Sequence, residues 1–304
     1  MTQAKHKHAI KVTLGLFLVK GLACLPMRAI QGLGYAVGTL CWYIPNPFKT
    51  VTLININTCF PQESDAFKRS LARRSLQQTF MTVFEYAMHW FWPIQKINAA
   101  IVEPDASTQT LFYEAQAKGK GVIILSPHMG AWESMLGYLP EKMNVSMMYR
   151  TLRIPQLEHT VRSARERAGA KLVPASASGI RAMFKALKKN EVVVMLPDQV
   201  PIVSGGVMAP FFGVPALTMT LAAKFAQKTG AVVLVGYVER LGIGGGFKAH
   251  ALRVSDDIYS EDSVVAATAM NQTLQAAIEQ HPEQYVWSYK RFKRRGPEYP
   301  KLYA

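Results

Sequence analysis

From residue 122 to residue 238 the chain repeats one local pattern. Short apolar runs at 122–126, 145–149, 171–174, 192–196 and 232–238 are rich in valine, isoleucine and leucine. Between the first four lie helix-patterned stretches at 131–138, 156–168 and 179–189. Strands that alternate with helices are joined by crossovers, so they lie parallel and need a helix layer on each face. The pattern predicts an α/β domain with a mixed, largely parallel central sheet flanked by helices. The glycine run 242–246 joins two strand-like runs and reads as a hairpin turn; no helix follows it, which argues against a phosphate loop. A helix over 64–92 precedes the alternation, and another over 263–280 follows it. No internal repeat or low-complexity linker breaks the chain.

The N-terminus differs. Residues 9–25 and 29–45 are two apolar stretches, the first interrupted by Lys11 and Lys20, the second uncharged and closed by Trp42 and Tyr43. Lys5, Lys7 and Lys11 lead them. Basic flanks and an aromatic stop suit a membrane interface, although a span needs about 20 apolar residues. The expectation is an apolar helical membrane anchor over residues 1–45 and a catalytic domain over 46–304, with spanning and interfacial attachment both open. Lys and Arg number 35 against 20 Asp and Glu, a net charge of +15. That balance points to an anionic partner. The three cysteines, Cys24, Cys41 and Cys59, have no metal spacing and form no disulfide framework.

The stretch SPHMGAWES, 126–134, follows the first strand. His128 falls just past a strand's C-terminal end, the rim where open α/β sheets bind ligands. On one helix, residues five apart diverge by about 140°. His128 therefore meets Glu133 only from the loop, folding back on the first helical turn. A neutral imidazole accepts a proton from an attacking alcohol, and a carboxylate on its other nitrogen fixes the tautomer. No G-x-S-x-G elbow, reactive cysteine context or H-E-x-x-H motif competes, and the seven histidines are scattered. The bland alternative is a hydrogen-bonded loop histidine beside an exposed helix acid.

Residues 145–195 hold ten Lys or Arg, including Arg150 and Arg165, against three acids. Arginine suits phosphate. Arg150 and Asp198 both end strands on the His128 rim. Residues 200–210 read as a lid or a crossover. The tail from Trp287 to Arg295, with Arg291 inside it, mixes cations with aromatics. That mixture suits nucleic acid in principle, but beside an apolar N-terminus an anionic headgroup or acidic carrier protein is more economical.

PHMGAWES resembles the H-x-x-x-x-[DE] motif of glycerolipid acyltransferases. With Met148-Tyr149-Arg150, GIRAMFKALKKNEVVVMLPDQ, GGVMAPFFGVPA and HPEQYVWSYKRFKRRG, the chain resembles the late (secondary) acyltransferases of lipid A biosynthesis in Gram-negative bacteria. The resemblance runs from about residue 44 onward. It implies an acyl-[acyl carrier protein] donor and a Kdo-bearing lipid A precursor as acceptor, at the cytoplasmic face of the inner membrane. It implies no cofactor and no metal. His128 carries over as general base and Glu133 as its partner. Arg150, Asp198, Gln199, Arg165 and Arg291 are the expected substrate-binding residues. A lysophospholipid acyltransferase and a non-enzymatic membrane-bound anion binder are the alternatives.

Overall fold

The computed structural model describes residues 2–152, 154–295 and 299–303, with the backbone alone for residues 2–11. Four helices come first: α1 (Thr2–Leu22), α2 (Met27–Tyr43), α3 (Pro47–Cys59) and α4 (Asp65–Phe91). Helix α5 (Ile94–Asn98), strand β1 (Ile101–Val102) and helix α6 (Ala106–Ala117) lead to the alternating region. There β2 (Val122–Leu125), α7 (Met135–Tyr138), β3 (Val145–Tyr149), α8 (Pro155–Glu166), β4 (Lys171–Pro174), α9 (Ala177–Lys188) and β5 (Val192–Met195) follow in turn. A hairpin of β6 (Gly206–Phe211) and β7 (Val214–Met219) precedes α10 (Leu221–Thr229), β8 (Val232–Arg240), β9 (Phe247–Arg253) and α11 (Ser263–Gln280).

The main sheet has the order β1-β9-β8-β2-β5-β3-β4. Every pairing in it is parallel except β8 with β9. It is the expected mixed, mostly parallel α/β sheet. The central strands are apolar at consecutive positions because both faces are covered. Ile123, Leu125, Val193, Met195, Val233 and Val235 pack on one side, with Leu187, Phe225 and Leu274 of α9, α10 and α11. Val122, Ile124, Val192, Val194 and Leu234 pack on the other, with Met135, Leu136 and Val161 of α7 and α8.

Two expectations change. No helix among the described residues is long and apolar enough to cross a membrane. Lys11 and Lys20 interrupt α1, and α2, at 17 residues, is about 26 Å long against a hydrocarbon core of about 30 Å. The side chains of Lys5, Lys7 and Lys11 lie outside the described residues. The small residues of α2 serve helix packing instead. Gly34 and Gly38 let it lie on α4 so closely that a Cβ at Gly38 would stand 2.5 Å from the Gln77 Cα. Buried Gln31 donates to Glu85 Oε1 at 2.7 Å, and Gln77 donates to Thr39 at 2.9 Å across the same seam. Second, the latter part of the expected lid or crossover is neither: residues 206–210 belong to β6, which is paired along its length with β7. Asn271 of α11 holds that hairpin through the Pro210 carbonyl and the Thr218 hydroxyl, both at 2.9 Å.

Gly38→Val should destabilise the protein by about 1–3 kcal/mol, because the clash is with backbone that no rotamer relieves. Gly32→Ala on the same helix meets nothing within 4 Å. It should be neutral or slightly stabilising. Chemical denaturation of the two variants checks the contrast; equal stabilities would show that the seam is not close-packed.

Candidate active site

β2 and β5 are adjacent parallel strands, so the chain leaves both at the same rim of the sheet. Ser126 and Pro127 end β2, and the Ser126 N–H still donates to the Met195 carbonyl of β5 at 2.9 Å. His128 follows β2, and Asp198 lies three residues past β5. Their contact is double. The His128 backbone N–H donates to Asp198 Oδ2 at 2.8 Å, and ring Nδ1 lies 2.7 Å from Oδ1. Asp198 is buried, whereas the His128 side chain is 23% exposed. Burial opposes ionisation of Asp198, but its electrostatic interaction with the His128 ring and the two hydrogen bonds from His128 outweigh it. Its carboxyl is held below the ordinary carboxylate range.

An ionised carboxylate only accepts hydrogen bonds, so the ring proton sits on Nδ1 and Nε2 keeps its lone pair. Nε2 opens on a cavity of about 200 Å³ lined by Asp198, Gln199, Val286, Ser288 and Tyr289. The Gln199 side-chain nitrogen is 3.3 Å from it. The arrangement can take a proton from a hydroxyl brought into that cavity.

The turn that carries His128 is fixed from several sides. The Val286 N–H donates to the His128 carbonyl at 3.1 Å, the Gly130 N–H to Gln284 O at 3.0 Å, and the Ala131 N–H to Val238 O at 2.9 Å. Gly130 has φ +57°, and a Cβ there would lie 2.0 Å from the Val238 carbonyl oxygen, so glycine is required. The Gly130 carbonyl accepts from the Thr82 hydroxyl at 3.1 Å and from Arg240 at 3.3 Å. Arg240 is fully buried and pairs with Glu85 of α4 at 2.6 and 2.5 Å.

Glu133 is not brought to His128. It lies in a tight 3-10 turn, Trp132–Ser134, and its buried carboxylate accepts from Arg165 of α8, with Nε at 3.1 and 3.2 Å. Trp132 stands between the two pairs. Its ring is 5.5 Å from the His128 ring on one side and 5.2 Å from the Arg165 guanidinium on the other. Burial opposes the charge on Arg165, but Glu133 dominates and holds its pKa above the usual arginine value.

The remaining expected residues divide. Arg150 is exposed immediately after β3, on the His128 rim. Gln199 lines the cavity. Arg291 is buried and donates to the Leu217 carbonyl at 2.7 Å and the Thr218 hydroxyl at 3.0 Å, so its guanidinium holds β7 and not a surface anion. The basic aromatic tail is likewise split: Trp287 and Phe292 are core, whereas Lys290 and Lys293 are exposed. Sequence reasoning missed Gln284, Ser288 and Tyr289, Arg240 and Glu85. A glutamate among the apolar positions of α4 and an arginine ending a buried strand were the available signals, since such charges need each other.

The chain matches the family described as bacterial lipid A biosynthesis acyltransferase over residues 2–294. It is similar to the lipid A biosynthesis lauroyltransferase of Escherichia coli strain K12, 26% identical over 291 residues that span 95% of this chain and 94% of that protein. Similar too are the palmitoleoyltransferase of the same strain, 26% identical over 282 residues, 92% and 90% of the two chains, and its myristoyltransferase, 24% identical over 293 residues, 93% and 87%. The chain therefore belongs to the bacterial lipid A biosynthesis acyltransferase family, and it is an acyltransferase.

Proposed function

We propose that the chain moves a fatty acyl group from the thioester of acyl-[acyl carrier protein] to a hydroxyl on an acyl chain of a Kdo-bearing lipid A precursor. His128 is the base and Asp198 the carboxylate that orients it. The reading rests on one observation: His128 gives Nδ1 to a buried, ionised Asp198 and turns Nε2 to the cavity at the strand ends. The acceptor hydroxyl oxygen attacks the thioester carbonyl as Nε2 takes its proton. The C–O bond forms, the C–S bond breaks, and the imidazolium returns the proton to the leaving thiolate. Asp198 stabilises the imidazolium in between. Glu133, with Arg165, acts by fixing Trp132 against the ring.

An apolar cavity of about 380 Å³ suits the donor chain. It is lined by Phe112, Tyr113, Met135 and Leu139, with Ile124 and Val238. Ile124 lies on β2, four residues before His128, and Val238 receives the Ala131 N–H, so the cavity wall is continuous with the turn that carries the base. Arg150, exposed on the rim, and the +15 charge suit a phosphorylated acceptor and an acidic carrier. Leu14, Phe17, Leu18, Leu40 and Tyr43 are exposed on α1 and α2. They suit seating in the interface of the inner membrane at its cytoplasmic face.

The test is turnover of acyl-[acyl carrier protein] with a Kdo-bearing lipid A precursor against lysophospholipid acceptors. Product from the first and none from the second supports the reading; the reverse would make the enzyme a phospholipid acyltransferase.

His128→Ala and Asp198→Asn should each lower kcat by about 10²–10⁴-fold, and the double variant should fall little further, because one unit is broken twice. Additive losses would separate the two residues. Glu133→Ala should behave differently. It leaves Arg165 buried and unpaired, so it should cost about 3–5 kcal/mol of stability, read by denaturant unfolding. Ala249 of β9 also lines the apolar cavity, and Ala249→Leu adds bulk to its wall. The mass spectrum of the product should then shift to shorter acyl chains, and an unchanged distribution would remove the donor chain from that cavity.

A further inference from the structure

The geometry points to a transition-metal site, for Zn²⁺ or a like ion, made by Glu239 of β8, His250 of β9 and His281 after α11. These residues lie eleven and thirty-one positions apart, which hides the group in the sequence. The fold places one potential ligand atom from each within 4.8 Å of the others. His250 Nε2 is 2.8 Å from Glu239 Oε2, and His281 Nε2 is 3.6 Å from the same oxygen. Around a tetrahedral ion with bonds of about 2.0–2.1 Å, ligand atoms stand about 3.3 Å apart. The two edges at Glu239 bracket that value, and the third, between the two imidazoles, is within 4.8 Å, a span that small side-chain rotations can close. Two imidazoles and one carboxylate are the ligand chemistry of zinc, with a fourth position for water.

The three residues sit on anchored elements. The His250 ring stacks on Tyr237, with centroids 4.9 Å apart and planes 17° apart. The Tyr237 hydroxyl donates to Gln280 Oε1 at 2.5 Å, which ties the strand to the end of α11 beside His281. Lys248, opposite Glu239 in the β8–β9 register, is engaged by Asp105 at 2.8 Å. All three side chains are part-exposed, at 17–26%, so an ion has access.

The ion would act by fastening. Glu239 lies between Val238, which accepts from Ala131, and Arg240, which bonds Gly130. The carbonyl of His281 accepts from the Gln284 N–H, and Gln284 O accepts from the Gly130 N–H. An ion bridging Glu239 and His281 therefore joins two of the elements that hold the turn carrying His128. This does not depend on which acyl donor or acceptor the enzyme uses.

The test titrates full-length, untagged protein with Zn²⁺ and with Co²⁺. The wild type should bind one equivalent, its Co²⁺ form should show the visible d–d bands of low coordination, and Zn²⁺ should raise its melting temperature. Glu239→Gln and His281→Ala should each weaken binding at least tenfold and abolish the thermal shift. The double variant His6→Ala with His8→Ala should retain both. His281 lies in a turn outside the core, so its variant keeps the test interpretable if changes at His250 impair folding. Equal binding by wild type and by the Glu239→Gln, His281→Ala double variant, or no binding by wild type, would overturn the site and leave a hydrogen-bonded triad.

Discussion

One carboxylate holds the candidate site together. Asp198 receives both the backbone N–H and the ring N–H of His128, so a single side chain fixes where the loop lies and how the imidazole is turned. Two contacts to one rigid acceptor leave the ring little freedom, and the tautomer follows from the charge. The contact exists because β2 and β5 are neighbours in a parallel sheet whose strands end at the same rim. Move either strand by one residue and every side chain changes face. The continuous apolar character of both strands, buried on two sides, makes that register hard to slip.

Beneath this contact lies a buried ion pair. Arg240 and Glu85 have been taken out of water at a cost that hydrophobic residues of the same volume would avoid. The pair does more than neutralise itself. Arg240 also reaches the Gly130 carbonyl, Thr82 and Gln78, and Glu85 accepts from Gln31 of α2. Through these bonds α2, α4 and β8 bear on the same glycine turn. The N-terminal helices thus belong to the support of the turn that carries His128 as well as to the surface. The close seam at Gly34 and Gly38 sets the distance at which Gln31 can reach Glu85.

Much of the scaffold was legible in the sequence. The bounds of β3, β4 and α11 match the expected 145–149, 171–174 and 263–280, because apolar runs and a strong helical period leave few alternatives. The rim position of His128 and Asp198 was legible too, from the strand-end rule alone. Which carboxylate meets the imidazole was not. Local spacing made Glu133 the candidate, but a 3-10 turn sends it to Arg165, while Asp198 arrives from seventy residues away through the sheet. Arg291 read as a surface cation because sequence does not report burial. The small-residue pattern of α2 fits an interface helix and a close-packed helix pair equally well, and only the position of α4 separates them. Residues 206–210 hid within a loop because Pro210 and Pro215, which sit opposite each other in the hairpin, weaken any strand signal.

The central claim is that Asp198 fixes His128 with its proton on Nδ1 and an unprotonated Nε2. Nitrogen-15 NMR of histidine-labelled protein, with the His128 signals assigned by its Ala variant, tests this directly. The account predicts a pyrrole-like Nδ1 and a pyridine-like Nε2 in the wild type at neutral pH, with the preference lost in Asp198→Asn and retained in Glu133→Gln. A His128 ring protonated at Nε2, or one whose tautomer follows Glu133 and ignores Asp198, would contradict it.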